Sequence, residues 1–377
     1  MRRIAVRIRC YTAECAAAVR ADVLIYFAAL IYLVVGAAYV LAMSRPLFGR
    51  YDVYSWGCLV LCCLVLPYLV ALIGLLRIAA FAGRRRGLAC RHFIAPRRIG
   101  RLLAGTLLML MLVMLMLFEA MYTSVKTAFS SSGFAWDRRA ADLDQSLHLG
   151  ISPEQWLSGL RSDWILRIVE FNYDFIWVGL WIGMLYWVST SRRADGIRHR
   201  FMLTFMLVWA VVGNAVAGVF SSAGPAFYGL VTGDTGRFSH LQSFLDGTPN
   251  MTALSQHYLW SLYQSGQSGL ASGISAFPSM HVAVTATCAL FLFERYTRLG
   301  WAAATYTVVI IGSSVYLGWH YAIDGYAAVL LVLAIYWLVR AGEPALGRLA
   351  QWRPLARRPV LASGGTELGP ITVQTAS

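Results

Sequence analysis

The chain has 377 residues, and its 32 Lys and Arg against 18 Asp and Glu give a net charge of +14. Yet only 13% of the residues are charged and 58% are hydrophobic, with a mean hydropathy of +0.60. Such a basic but charge-poor composition excludes a nucleic-acid binder, and it leaves too little polar surface for two or three soluble domains. The expected solvent is lipid and the expected fold class is all-α, a polytopic membrane protein. The seven cysteines show neither paired metal spacing nor a disulfide framework and read as small hydrophobes.

About 20 mostly apolar residues are needed to cross a hydrocarbon core. Eight segments read as spans, the sixth and seventh of them short: Val23–Met43, Cys58–Leu76, Leu102–Tyr122, Phe171–Thr190, Phe201–Phe220, Ser279–Phe293, Trp301–Leu317 and Tyr321–Val339. The first is too long for a signal-peptide core, lacks a small-residue cleavage site and reads as a retained anchor. Cytoplasmic segments keep Lys and Arg. The N-terminus, loops 77–101 and 192–200, the 295–298 turn and the C-terminal tail hold 24 positive residues, against eight on the other side. Both termini are therefore expected in the cytoplasm of a bacterial inner membrane protein, with loops 123–170 and 221–278 facing outward. Subtracting acids gives +18 for the cytoplasmic segments and −4 for the outer ones, so the basic balance is a topology signal. Three regions follow: 1–101, a two-helix extension with a basic loop; 102–340, a six-helix core; and 341–377, a partly disordered tail.

In the first outer loop, Leu143 and Leu147 at helical spacing predict a helix from Asp137 to His148, ended by Gly150. A second short helix is expected after Ser152, with Pro153 in its first turn and Gln155 as a capping-box partner. Its apolar face would be Trp156, Leu157 and Leu160. The second outer loop is rich in Gly, Ser and Gln between Ser265 and Ser275 and ends at Pro278.

Of seven histidines, His281 and His320 stand at the outward mouths of spans. His281 follows Phe277-Pro278-Ser279-Met280, where Pro suits the first helical turn and free backbone N–H groups could receive a phosphate oxygen. His320 precedes Asp324 by one helical turn. A carboxylate at that spacing can fix an imidazole tautomer and leave the other nitrogen free to attack, while a second histidine protonates the leaving oxygen. Asp324, at the start of an apolar stretch, is costly unless it has a function. Glu119 and Asp174, near outer span ends, could bind acceptor hydroxyls or pair with arginines, and Asn214 reads as interhelical glue.

Ala276-Phe277-Pro278-Ser279-Met280-His281-Val282 resembles the Pro-Ser-x-His motif of the phosphatidic acid phosphatase type 2 superfamily, and Tyr316 to Asp324 resembles its His-x-x-x-Asp motif. The form Tyr-Leu-x-x-His-Tyr-x-x-Asp is most similar to the inositol phosphorylceramide synthase and sphingomyelin synthase branch. Phe134 to Leu157 and Ser222 to Tyr228 are similar to segments of bacterial proteins in that branch, and the likeness covers Leu102 to Val339. It implies that His320 attacks phosphorus to give a phosphohistidine, Asp324 stabilises it, and His281 acts as acid and then base, without metal or cofactor. Candidate substrate contacts are Pro278, Ser279, Ser313, Tyr321, Tyr228, Arg167, Arg138 and Asp174.

Two cationic elements of that family are missing. No Lys-x6-Arg-Pro motif precedes Gly224-Pro225, and the Arg expected six residues before the nucleophile is Ser314. The outward cations able to replace them are Lys126, Arg138, Arg139, Arg161, Arg167 and Arg237, with Arg167 best placed by its position before the fourth span. The expected partners are a phospholipid donor and a lipid hydroxyl or water as acceptor. Three further readings stay open: a simple lipid phosphate phosphatase, a transporter or lipid-binding scaffold, and an inactive member of the family.

Overall fold

The computed structural model describes residues 2–45, 57, 59–81, 83, 86–112, 121–267, 269 and 271–350. The described residues are predominantly helical, and no strand occurs among them. The helices that frame the molecule are α1 (Arg2–Ala21), α2 (Val23–Ala42), α3 (Leu66–Phe81), α4 (Pro96–Met111), α5 (Tyr122–Ser130), α6 (Asp137–Leu147), α7 (Asp163–Thr190), α8 (Arg198–Val219), α9 (Met251–Ser265), α10 (Met280–Arg295), α11 (Thr297–Tyr316) and α12 (Ala322–Ala350).

Among the described residues, six helices are long and apolar enough to cross a membrane: Val23–Ala42, Cys63–Ala80, Asp163–Thr190, Arg198–Val219, Thr297–Tyr316 and Ala322–Pro344. Two of the eight expected spans are not among them, for different reasons. Of Leu102–Tyr122, residues 113–120, which include Glu119, lie outside the described residues. Ser279–Phe293 is present as α10, but its 16 residues reach only ~24 Å, short of the ~30 Å hydrocarbon core.

The position of α10 explains its modest hydropathy. It packs against α7, α8, α11 and α12, and buries Val282, Ala283, Val284, Thr285, Ala286, Thr287, Ala289 and Phe291. Small residues let neighbouring backbones approach, and a helix walled in by other helices needs no lipid-facing surface. Around it Trp181, Leu185, Phe201, Phe205, Trp209, Ile335 and Tyr336 complete one core cluster. Cys63–Ala80, by contrast, has no buried residue and stands at the periphery.

The N-terminal segment is more than an anchor with basic residues before it. Its first 20 helical residues form α1, which packs along α4. Asp22, fully buried between α1 and α2, receives Nε of Arg198 at 3.0 Å and a second guanidinium nitrogen at 2.5 Å. Asn214, mid-span in α8, accepts from the Tyr32 hydroxyl at 2.5 Å and donates to the Tyr122 carbonyl at 3.4 Å, joining three helices.

The outer loops carry more structure than their composition suggested. Asp137–Leu147 is helical as expected, and Gly150 closes it with φ +81° and an N–H to the Gln145 carbonyl of 2.9 Å. Leu143 and Leu147 nevertheless face outward, 48% and 61% exposed, while Asp137, Ala140, Ala141 and Asp144 form the buried face. The second helix is a single turn, Pro153–Trp156, followed by a 3-10 turn; Ser152 sits at its N-cap with no side-chain capping bond. The 221–278 loop contains α9, whose cap Asn250 accepts from the Ala253 N–H at 2.7 Å. Glu170 of α7 accepts the neighbouring Thr252 N–H at 2.7 Å, which fastens this helix to the bundle.

Candidate active site

His320 lies in the short connection between α11 and α12, where three segments meet. The Ala276 N–H donates to the Ser222 carbonyl at 2.8 Å, and the Ala226 N–H donates to the Gly318 carbonyl at 2.9 Å. Gly224 is the pivot of this junction. Its φ of +92° and ψ of 173° are glycine territory, and a Cβ there would lie 2.6 Å from the Trp319 carbonyl oxygen and 3.0 Å from the Ala276 Cβ.

The junction also sets the chemistry of the imidazole. Nδ1 of His320 lies 2.7 Å from the Ala276 carbonyl oxygen and 3.3 Å from Oδ2 of Asp324. A carbonyl can only accept, so Nδ1 carries the proton and Nε2 is left with its lone pair. Asp324 is fully buried and its Oδ2 also accepts the Tyr321 N–H at 2.9 Å, while Oδ1 has no partner among the described residues. The backbone of the two motifs is joined as well, since the Ser279 N–H donates to the Asp324 carbonyl at 3.1 Å.

His281 occupies the second position of α10. Ser279 is the N-cap, its hydroxyl accepting from Val282 N at 3.5 Å, so Pro278 stands before the cap rather than within the first turn; the Phe277–Pro278 peptide is cis. Tyr173 stacks on the His281 ring at 4.0 Å between centroids, Trp177 lies tilted against it at 4.1 Å, and the Trp177 indole donates to the His281 carbonyl at 3.0 Å. Both aromatics come from a π-helical turn of α7 and the residue after it, a local irregularity common at functional sites. The His281 and His320 rings are 6.4 Å apart. Lys126 and His320 are the ionisable groups that act electrostatically on His281.

Two buried carboxylates of α6 brace the other side of His320. Asp137 accepts from the Ser222 and Tyr321 hydroxyls at 3.0 and 2.9 Å and from the Ala223 and Gly224 N–H groups at 2.8 and 2.9 Å. Asp144 accepts from Ala322 N at 3.3 Å and Ile323 N at 3.0 Å, and so caps α12. Burial pushes both carboxyls above their ordinary range, against the pull of these hydrogen bonds.

The remaining sequence candidates divide. Pro278, Ser279, Ser313 and Tyr321 are buried around the junction, Ser313 in the last turn of α11. Tyr228 is buried in a cluster with Phe238 and Tyr321. Arg167 is not brought to the site: it is exposed on the α7 face that carries Trp164, Ile168 and Phe171. Asp174 is likewise exposed, on the face turned away from Tyr173 and Trp177. Arg138 donates to the Thr232 carbonyl, and Arg161 pairs with Glu154. Arg237 pairs with Asp142 and Gln145, and Arg139 lies over the Trp136 ring. Tyr173, Trp177, Asp137 and Asp144 were not singled out from sequence; the aromatic pair at i, i+4 and the carboxylates at i, i+7 on one helix face were the available signals. Among the described residues, no group of three or more His, Cys, Asp or Glu forms a metal cluster.

A bundle of membrane-length helices, with two histidines facing each other at one end and a carboxylate buried behind one of them, defines the class as a helical membrane protein built around an imidazole pair. The PAP2 superfamily matches residues 139–338, more than half of the chain. The chain belongs to the PAP2 superfamily, which brings lipid phosphatase or phosphotransferase activity with it. No curated protein and no solved structure matches the chain.

Proposed function

We propose that this protein moves a phospho-headgroup of the inositol phosphate type from a phospholipid to another lipid hydroxyl, through a phosphohistidine on the outer face of the membrane. The observation that carries the reading is the 2.7 Å bond from His320 Nδ1 to the Ala276 carbonyl, which leaves Nε2 unprotonated across from His281. Nε2 attacks phosphorus, the bond from phosphorus to the donor's diacylglycerol oxygen breaks, and protonated His281 gives that oxygen its proton. The acceptor hydroxyl then yields its proton to His281, its oxygen attacks phosphorus, and the N–P bond breaks to restore His320. Tyr173 and Trp177 enclose the His281 ring and hold it in place for these proton transfers. Asp324 stabilises the charge that develops on the His320 ring. Pro278, Ser279, Ser313 and Tyr321 shape the pocket, and Tyr228 supports Tyr321.

The same reading takes residues 1–101 as a membrane extension, 102–340 as the catalytic core and 341–377 as a cytoplasmic tail. It includes eight spans, with α10 and the 102–122 segment completing the six observed. With a lipid phosphomonoester as donor and water as acceptor, the same attack by His320 Nε2 would make the protein a lipid phosphate phosphatase. Purified protein given labelled phospholipid, with and without ceramide or diacylglycerol, separates the two. Label should appear in a new lipid only when acceptor is present; phosphate release without acceptor refutes transfer. Rapid quenching should trap acid-labile label that is absent in H320A, and turnover surviving in H320A rejects the phosphohistidine.

A further inference from the structure

A phosphoryl group at the histidine pair brings negative charge to a largely buried place, and an isolated buried charge is costly. The cation expected from α11 is absent, because Ser314 is buried there and donates to the Ile311 carbonyl at 2.8 Å. Arg138, Arg161 and Arg237 are engaged elsewhere, and Arg139 and Arg167 are exposed. Lys126 differs from all of them. It is the only lysine in the chain and is half-buried on α5, with no hydrogen-bonding or ion-pair partner among the described residues.

The surroundings of Lys126 are built to hold its stem. Gly273, at φ +87°, lies so close that a Cβ would come 2.9 Å from Lys126 Cγ and 3.0 Å from Thr127 N. Gly273 and Thr127 also line a cavity of about 280 Å³ together with Arg45, Ser131, Leu262 and Gln267. Lys126 is thus held against the loop that, three residues on, supplies the Ala276 carbonyl to His320, and the His281 imidazole feels its charge. Burial pushes its ammonium from 10.5 down to about 8. It also lies outside the matched residues 139–338.

We propose that Lys126 is the cation that binds the phosphoryl oxygens of the substrate at the histidine pair, replacing the motif cations that the chain lacks. This rests on the phosphotransfer reading above. The ammonium is a point charge on a flexible stem, so it can follow the group from donor to histidine to acceptor without the fixed fork of an arginine. The ligand is a phosphate ester anion, from a lipid headgroup or from free phosphate.

Because the chain has a single lysine, acylation by an amine reagent can be read at Lys126 directly from the mass of its peptide. The full-length protein is labelled in neutral detergent micelles alone, with phosphatidic acid, with diacylglycerol, and with inorganic phosphate. Phosphatidic acid should slow labelling by about 10-fold and diacylglycerol should not, in H320A as well as in the unaltered protein. Protection in H320A tests binding apart from turnover, so failure of the phosphohistidine leaves this test intact. Protection by inorganic phosphate also supports the site and assigns recognition to the phosphate rather than the acyl chains. In turnover assays, K126Q should raise KM or lower kcat/KM by about 10- to 100-fold, with K126R recovering part of the loss. Equal labelling with phosphatidic acid and diacylglycerol, or unchanged kinetics in K126Q, overturns the proposal.

Discussion

Replacing Gly224 by alanine tests whether the junction around His320 is as tightly closed as its geometry implies. The backbone at φ +92° and ψ 173° belongs to a region open almost only to glycine, which costs an alanine ~1–3 kcal/mol. The new methyl would meet the Trp319 carbonyl at 2.6 Å and the Ala276 Cβ at 3.0 Å, neither of which is a flexible side-chain end. Overpacking of this kind costs a further ~1–3 kcal/mol, for a total of ~2–6 kcal/mol. Trp319 precedes His320 and Ala276 supplies its acceptor, so relaxation of either neighbour disturbs the imidazole. Denaturant or thermal unfolding in detergent should show the lost stability, and turnover should fall by more than the loss of folded protein accounts for. G179A is the control: nothing lies within 4 Å of its new Cβ inside α7, so it should be neutral or gain up to ~1 kcal/mol. A G224A protein with unaltered unfolding and turnover would refute the close junction.

Asp137 accepts four hydrogen bonds and donates none, so D137N places a donor amide against donors and should cost ~1–3 kcal/mol in unfolding experiments, with reduced turnover because Gly224 and Tyr321 lose their anchor. D22N leaves Arg198 buried without its partner at the opposite end of the bundle and should cost ~3–5 kcal/mol, while the folded fraction turns over normally. The Lys126 ammonium has a folded-state pKa depressed to about 8, so the native protein loses that proton before the unfolded chain does. As pH rises through ~8, kcat/KM should fall, whereas fold stability should rise up to ~10.5 because the unfolded state then binds more protons. His281 is an ionisable group on which the Lys126 charge acts, and its ring lies 6.4 Å from that of His320. Persistence of the same alkaline limb in K126R would show that another group produces it.

The spans and the paired motifs were legible because each is a local property. Apolar length and arginine placement mark a helix that meets lipid, and His320 and Asp324 share a helix turn. Lys126 was one of six outward cations and not the favoured one, because its approach to His281 depends on how α5 and the 271–274 loop fold onto α10. Arg167 was favoured for its place before a span, but one step around the α7 helix separates it from the inward positions of Leu166 and Glu170. Position along a helix was readable; direction around it was not. Leu143 and Leu147 showed that α6 is a helix but not which side of it is buried, where the buried groups are carboxylates with partners far away in sequence. Helix α9 escaped notice because its Gln, Ser, Tyr and His residues carry no clean apolar period. Its attachment, from Gln256 to the Leu317 carbonyl at 3.0 Å and from Glu170 to its N-terminus, is entirely tertiary.

The division of labour behind His320 differs from what the sequence spacing implied, and it changes what Asp324 can be doing. If the carboxylate alone held Nδ1–H, its removal would free the ring and mix the tautomers. Instead the Ala276 carbonyl at 2.7 Å is the nearer acceptor and Asp324 at 3.3 Å the second, with Oδ2 already taking the Tyr321 N–H. A backbone carbonyl fixes the tautomer but carries only a partial charge, so the contribution left to Asp324 is electrostatic stabilisation of the ring as it becomes cationic. D324N should therefore keep Nδ1 protonated, seen by nitrogen NMR of labelled histidine, while turnover drops by about 10- to 100-fold, the worth of a charged hydrogen-bonding partner. A shift of the proton to Nε2, or a loss of about 10⁴-fold as expected when tautomer control is removed, would show that the carboxylate and not the Ala276 carbonyl orients the nucleophile.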